Sequence, residues 1–201
     1  MSEFEQQSDE WFAARLGRAT ASQFKAVLAK GQGKTREAYL RRLVAERLTG
    51  KPTETYQNAH MERGTEQEPF ARMAYEARAG NLVEEVGFIP HATLMAGASP
   101  DGLIGVDGGC EIKSVIPTVQ LDTILRGEYP TEHVAQIQGS LWISGRSWWD
   151  FCSFSPDMPE NLRTYIFRVQ RDEKYIATLA GEVMTFLDEV DALVAKLMEM
   201  K

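Results

Sequence analysis

The chain has 201 residues, 43% of them apolar, and its 22 basic side chains against 29 acidic ones give a formal net charge of −7. That is enough for one α/β domain with a sizeable core and too little for a second full domain; no apolar run approaches the roughly 20 residues that span a bilayer, and the polar, acidic N-terminus lacks a signal-peptide pattern, so a soluble, cytoplasmic protein with no membrane partner is expected. Cys110 and Cys152 lie in apolar runs that predict buried thiols rather than a disulfide, and His60, His91 and His133 are too scattered for a zinc site.

The charge is unevenly spread. Residues 15–51 hold ten basic side chains against two acids, Glu37 and Glu46, a local excess of +8 that leaves −15 for the rest. A basic region of this kind suits a phosphate backbone, although solvated helix faces would look the same. Within it, residues 9–16 predict a short helix, and Thr20-Ala21-Ser22-Gln23 has the spacing of a capping box opening a second helix through residue 28. Arg15 and Ser22 then flank a helix N-terminus, where N–H groups, a hydroxyl and a guanidinium suit a bound phosphate; plain capping by Ser22 beside a surface arginine is the alternative. Lys30-Gly31-Gln32-Gly33-Lys34 reads as a flexible basic loop without P-loop spacing.

A third helix over 36–48 aligns Tyr39, Leu40, Leu43, Val44 and Leu48 on one face, leaves Arg41, Arg42 and Arg47 off it, and stops at Gly50. An acid-rich helix over 58–78 follows, with Glu62, Glu66, Glu68 and Glu76; Pro69 must kink it or mark a first turn, and Glu68 taken alone reads as a solvated helix residue. Strands are predicted over 82–89 and 94–98.

Residues 99–115 carry the chemistry. Two β-rich runs, 103–106 and 110–115, are joined by Val106-Asp107-Gly108-Gly109 and read as a hairpin. Alternation puts Glu111 and Lys113 on one face and Cys110, Ile112 and Ser114 on the other, toward a core. With Asp101 at the head of the hairpin, two carboxylates and an ammonium form a set that suits phosphodiester hydrolysis: hard oxygens for Mg²⁺, and a lysine to orient or deprotonate the water or to stabilise charge on the phosphate. An exposed hairpin with an inconsequential ion pair is the alternative. The pattern Pro100-Asp101, nine residues, Glu111-Ile112-Lys113 resembles the PD-(D/E)xK signature of a large nuclease superfamily.

Helices are predicted next over 118–126 and 132–144, the second holding Ala135-Gln136-Ile137-Gln138, whose amides could place a water or phosphate or simply face solvent. Closing strands are predicted over 147–153 and 163–169, with Trp148 and Trp149 read as core and interface area rather than base-stacking platforms. Asp172 caps a long amphipathic helix to residue 200, with Ile176, Leu179, Val183, Phe186, Leu187, Val190, Leu193, Val194 and Leu197 on its apolar stripe.

Several ordered blocks together resemble the phage lambda exonuclease family of viral recombinases: Trp11 with Arg15-Leu16-Gly17 and Thr20-Ala21-Ser22, the run 64–71 containing Glu68, Ser99-Pro100-Asp101-Gly102-Leu103, Glu111-Ile112-Lys113, Ala135 to Gln138 with Trp142, and Arg171 to Tyr175. Arg63 stands where a relative carries an aromatic residue. The resemblance implies a restriction-endonuclease-like α/β fold, a central mixed β-sheet flanked by helices, in one exonuclease domain over 1–201: a basic helical region 1–51, a catalytic core 58–170 and a C-terminal helix 172–200. It implies a two-metal, Mg²⁺-dependent enzyme, with Mn²⁺ able to substitute, that digests one strand of duplex DNA 5′ to 3′ and leaves a 3′ single strand for an annealing protein in recombination. Asp101 and Glu111 would be metal ligands with the Ile112 carbonyl, Lys113 would hold the nucleophilic water, Glu68 would support the second metal, and Gln138 would assist water or phosphate placement. Arg15 and Ser22 would bind the 5′-terminal phosphate, and a homotrimeric ring would enclose the duplex, facing it with the basic N-terminal region. An endonuclease of the same superfamily and a non-catalytic DNA-end-binding module are the competing readings.

Overall fold

The computed structural model of the protein describes residues 6, 8–29, 34–53 and 59–200, with side chains from residue 66 onward in the last span. Of the basic loop expected over 30–34, residues 30–33 lie outside the described residues, as do the side chains of Glu62 and Arg63, and Lys34 is already helical. In chain order the elements are α1 Asp9–Arg15, β1 Ala19–Thr20, a 3-10 turn Ala21–Gln23, α2 Phe24–Val27, α3 Lys34–Thr49, α4 Ala59–Ala79, β2 Ile89–Pro90, β3 Ala96–Ala98, β4 Gly102–Ile104, β5 Gly108–Ser114, α5 Pro117–Arg126, a 3-10 turn Thr131–His133, α6 Val134–Ser144, β6 Trp148–Phe154, α7 Glu160–Arg163, β7 Thr164–Gln170 and α8 Glu173–Met198.

The strands form two sheets. One is small, in the order β1-β3-β2; the other, in the order β4-β5-β6-β7, is antiparallel at both edges and parallel between β5 and β6, hence mixed. α4 covers one face of the larger sheet, where Ala71 and Tyr75 pack with Cys110, Ile112, Cys152 and Phe154. α6 and the start of α8 cover the other, where Ile137, Leu141 and Ile176 pack with Trp149, Phe151 and Val169. A third cluster joins α2, α3 and α8 through Phe24, Tyr39, Leu43, Val183 and Phe186. α8 follows its expected pattern: the Asp172 carboxylate accepts from the Tyr175 N–H at 2.9 Å, and the stripe from Ile176 to Val190 is buried.

Three local expectations are corrected. The predicted strand over 82–89 is mostly irregular: of these residues Ile89, with Pro90 after it, pairs with the three-residue β3, and Glu84 makes an isolated bridge to Leu103. The hairpin turn falls at residues 105–107 instead of 106–109, because Gly108 and Gly109 already belong to β5. Their missing side chains make room for indoles: a Cβ on Gly108 would meet Trp148 at 2.1 Å, and one on Gly109 would meet Trp149 at 2.4 Å. Of the two placements open to Pro69, the structure has it inside α4, not in a first turn. The capping box at Thr20 does not form; its hydroxyl lies 3.3 Å from the Ser22 hydroxyl, and a 3-10 turn takes the place of the first helical turn.

Candidate active site

β5 lies between β4 and β6, so side chains on its α6-facing side are walled on both flanks. Glu111 is only 1% exposed there, and Lys113, two residues on, forms an ion pair with Glu111 Oε1. The same oxygen accepts from Gln136 Nε2 at 2.5 Å, from the first turn of α6. The second oxygen, Oε2, is buried with no hydrogen-bond partner among the described residues. Asp101 closes the set from the head of β4, its Oδ2 accepting the Ile112 N–H at 2.6 Å. N–H and C=O of one strand residue face the same edge, so the Ile112 carbonyl also looks toward Asp101.

The charges act on one another. Burial, and then the negative charge of Glu111, push the Asp101 carboxyl up to about 8, with Lys113 and the Ile112 N–H pulling back. Burial pulls Lys113 down, but Glu111 and Asp101 outweigh it and hold the ammonium above its usual range. Lys113 is therefore protonated at neutral pH, which suits it to orient water and phosphate and unsuits it as a base. Glu68, on α4, is raised by burial and feels Lys113 and Glu111, but among the described residues no hydrogen bond or ion pair joins it to them. Correspondingly, no three His, Cys, Asp or Glu side chains converge among the described residues. A bare buried carboxylate oxygen, a facing carboxyl disfavoured as an anion, and a main-chain carbonyl are nonetheless a donor set that fits a hard divalent cation.

Gln138 does not join this cluster. It is buried on the other side of α6, donating to the Gln170 carbonyl at 2.9 Å and accepting from the Asp172 N–H at 3.0 Å, and so ties α6 to the start of α8. Gln136 is the glutamine at the site. Sequence alone could not separate them, because α6 is buried on nearly all sides and presents no polar face to phase the helix.

Arg15 stands one step away. Its guanidinium donates to the Ser99 hydroxyl at 2.6 Å and lies 4.0 Å over the Trp11 ring, and Trp11 Nε1 donates to the same hydroxyl at 3.1 Å. Burial lowers its pKa to about 10. Among the described residues it has no carboxylate partner, in contrast to Arg36, Arg41, Arg42 and Arg47, which pair with Glu189, Glu37, Glu46 and Asp191. The basic excess of 15–51 is thus largely neutralised on α3, while Arg15, Arg18 and Lys25 are left without an ion pair among the described residues. Ser22 is exposed on the 3-10 turn, bonded to Thr20, and does not contact Arg15. The helical stretch expected between them opens at Ala21 as a 3-10 turn, and its α-helical part, α2, is a single turn. The buried Glu46, whose Oε2 accepts the Gly17 N–H at 3.0 Å, carries no sequence signal that separates it from surface residues, and nothing in the Ser99–Leu103 block marks Ser99 as the partner of Arg15.

Comparison with known proteins agrees with this architecture. Residues 10–147 match the family model of the YqaJ-like viral recombinase domain. The structure resembles the crystal structure of an alkaline exonuclease, LHK-Exo, from Laribacter hongkongensis, with 40% identity, a TM-score of 0.89 and coverage of 95% of this chain and 96% of that one. The complex of LHK-Exo with dAMP matches at 41% identity and a TM-score of 0.88 over 94% and 96% of the two chains. A phage-related exonuclease from Haemophilus somnus 129PT shares the fold, at 13% identity and a TM-score of 0.70 over 90% and 96%. The uncharacterized protein ExoD of Escherichia coli (strain K12) is 29% identical over 65 residues, 32% of this chain and 74% of its own. The mixed sheet flanked by helices is thus the α/β fold of PD-(D/E)xK alkaline exonucleases. The chain belongs to the YqaJ-like viral recombinase domain family.

Proposed function

We propose that the protein is a Mg²⁺-dependent exonuclease that enters duplex DNA at a 5′-phosphorylated end and degrades that strand 5′ to 3′. The observation that carries this reading is the buried Glu111 Oε2, bare of any partner among the described residues and set beside Asp101 and the Lys113 ammonium. Asp101, Glu111 and the Ile112 carbonyl would hold the first ion, and Glu68 would support a second. Bound Mg²⁺, or Mn²⁺ in its place, would polarise the phosphate and lower the pKa of a bound water. The chain's own part is positional: Gln136 and Lys113 fix Glu111, and the Lys113 charge steadies the developing negative charge on the phosphate. Arg15, held on Ser99, supplies the end recognition, and the exposed Ser22 hydroxyl on the 3-10 turn would add a contact to the terminal phosphate. A relative crystallised with dAMP supports a mononucleotide product. A homotrimeric ring around the duplex, transfer of the 3′ strand to a single-strand annealing protein, and action in the cytoplasm belong to the same reading; among the described residues no helix is long and apolar enough to cross a membrane.

Asp101→Asn and Glu111→Gln test it. Each is expected to lose several orders of magnitude of Mg²⁺-dependent nucleotide release while still binding DNA, and near-wild-type release by either would overturn the site. A closed circular duplex is expected to stay intact, and its cleavage would favour an endonuclease.

A further inference from the structure

His133 ends the 3-10 turn that leads into α6, and the chemistry above does not use it. Its ring stacks on Phe151 with centroids 5.3 Å apart and planes 26° from parallel. Phe151 is the register partner of Glu111 across the parallel β5–β6 ladder, so both side chains leave the same face of the sheet. Three residues after His133, Gln136 reaches down to Glu111 from the same end of α6. The imidazole therefore lies on the Glu111–Lys113 face, at the rim of the cluster.

One face of the ring is taken by Phe151, which leaves its edge for a ligand. Among the described residues neither ring nitrogen has a hydrogen-bond partner, although the side chain is half-buried. Burial, then Lys113, lower its pKa, with Lys25 acting in the same direction and Glu111 and Glu132 opposing. The ring is thus favoured in its neutral form, which carries one N–H donor, on the face of the sheet that holds the Lys113 ammonium.

We propose that His133 contacts the substrate strand, donating from its ring edge to a non-bridging oxygen of the phosphodiester that lies over Asp101, Glu111 and Lys113. This rests on the reading that the cluster acts on DNA. The contact would hold the phosphate in register from the side opposite β4.

The test uses binding, so it does not depend on turnover. In an Asp101→Asn background, affinity is measured for a 5′-phosphorylated duplex with an ordinary first linkage and for one carrying a neutral methylphosphonate there. His133→Phe keeps the aromatic stack and removes the donor; it is expected to bind the ordinary duplex about 10- to 100-fold more weakly than its parent and the methylphosphonate duplex as its parent does. His133→Gln, which returns an N–H donor, is expected to recover part of the loss. Unchanged affinity for the ordinary duplex, or an equal loss on both, would overturn the contact. Failure of the otherwise wild-type protein to release nucleotides with Mg²⁺, with the His133 effect intact, would instead overturn the nuclease reading and leave the contact standing.

Discussion

Arg15 donates from Nη1 to the Ser99 hydroxyl at 2.6 Å, and Ser99 is two residues from Asp101. A half-buried guanidinium without a carboxylate partner among the described residues is thereby fixed to the strand connection that carries the metal-ligand candidate. A terminal phosphate held by Arg15 would set the next phosphodiester over Asp101 and Glu111, which makes end recognition and cleavage register one property.

The first prediction follows from that link. A charge-assisted contact is worth about 1.5–3 kcal/mol, so Arg15→Ala is expected to slow digestion of 5′-phosphorylated ends by roughly 10- to 150-fold and to narrow the gap to 5′-hydroxyl ends. Single-turnover rates on the two substrates measure it. An unchanged phosphate preference in the variant would remove Arg15 from end recognition.

The two glutamines of α6 are expected to separate cleanly. Gln136→Ala frees one side of Glu111 Oε1 and is expected to lower the rate about 10- to 100-fold while leaving the melting temperature nearly unchanged. Gln138→Ala leaves the Asp172 N–H and the Gln170 carbonyl without their partner; it is expected to cost about 1–3 kcal/mol of stability with little change in rate per folded molecule. Rate loss without stability loss in Gln138→Ala would reverse the assignment.

Metal removal provides a third measurement. Burial and Glu111 disfavour the Asp101 anion, so Asp101→Asn, which keeps an acceptor for the Ile112 N–H, is expected to raise the melting temperature of the metal-free protein. Mg²⁺ is expected to stabilise the wild type in proportion to its binding and to leave the variant unmoved. Equal Mg²⁺ stabilisation of both would place the ion elsewhere.

On the opposite face of the sheet, Tyr75 Oη donates to Asp150 Oδ2 at 2.7 Å, and Arg168 holds the same carboxylate from Nε and Nη2 at 2.8 and 2.9 Å. This network fastens α4, and with it Glu68, to β6. Tyr75→Phe is expected to cost about 1.5–3 kcal/mol, read as a fall of roughly 3–10 °C in Tm. A Tm within a degree of wild type would show that α4 is held by packing alone.

Much of this was legible in the residues. The long helices declared themselves by apolar period and caps, as Asp172 and the stripe from Ile176 do, and Asp101, Glu111 and Lys113 by their spacing around a hairpin. What escaped were matters of phase and pairing. Gln136 and Gln138 differ by two positions on a helix buried nearly all round. Nor does the basic excess of 15–51 reveal that Glu189 and Asp191, about 150 residues downstream by numbering, pair with Arg36 and Arg47. The strand expected over 82–89 lacks a partner long enough to pair with it. His133 carries no motif at all, and its place is set by Phe151 on a strand formed later in the chain.

The central claim is polarity imposed by a metal-dependent cluster beside an end-binding arginine. Linear duplexes labelled separately at each 5′ and 3′ terminus, incubated with the wild-type protein and Mg²⁺, test it most directly. Release of the 5′ labels as mononucleotides from the start, with the 3′ labels retained on full-length strands through the early phase, is the expected result. Early release of the 3′ labels, or internal fragments bearing either label, would contradict it.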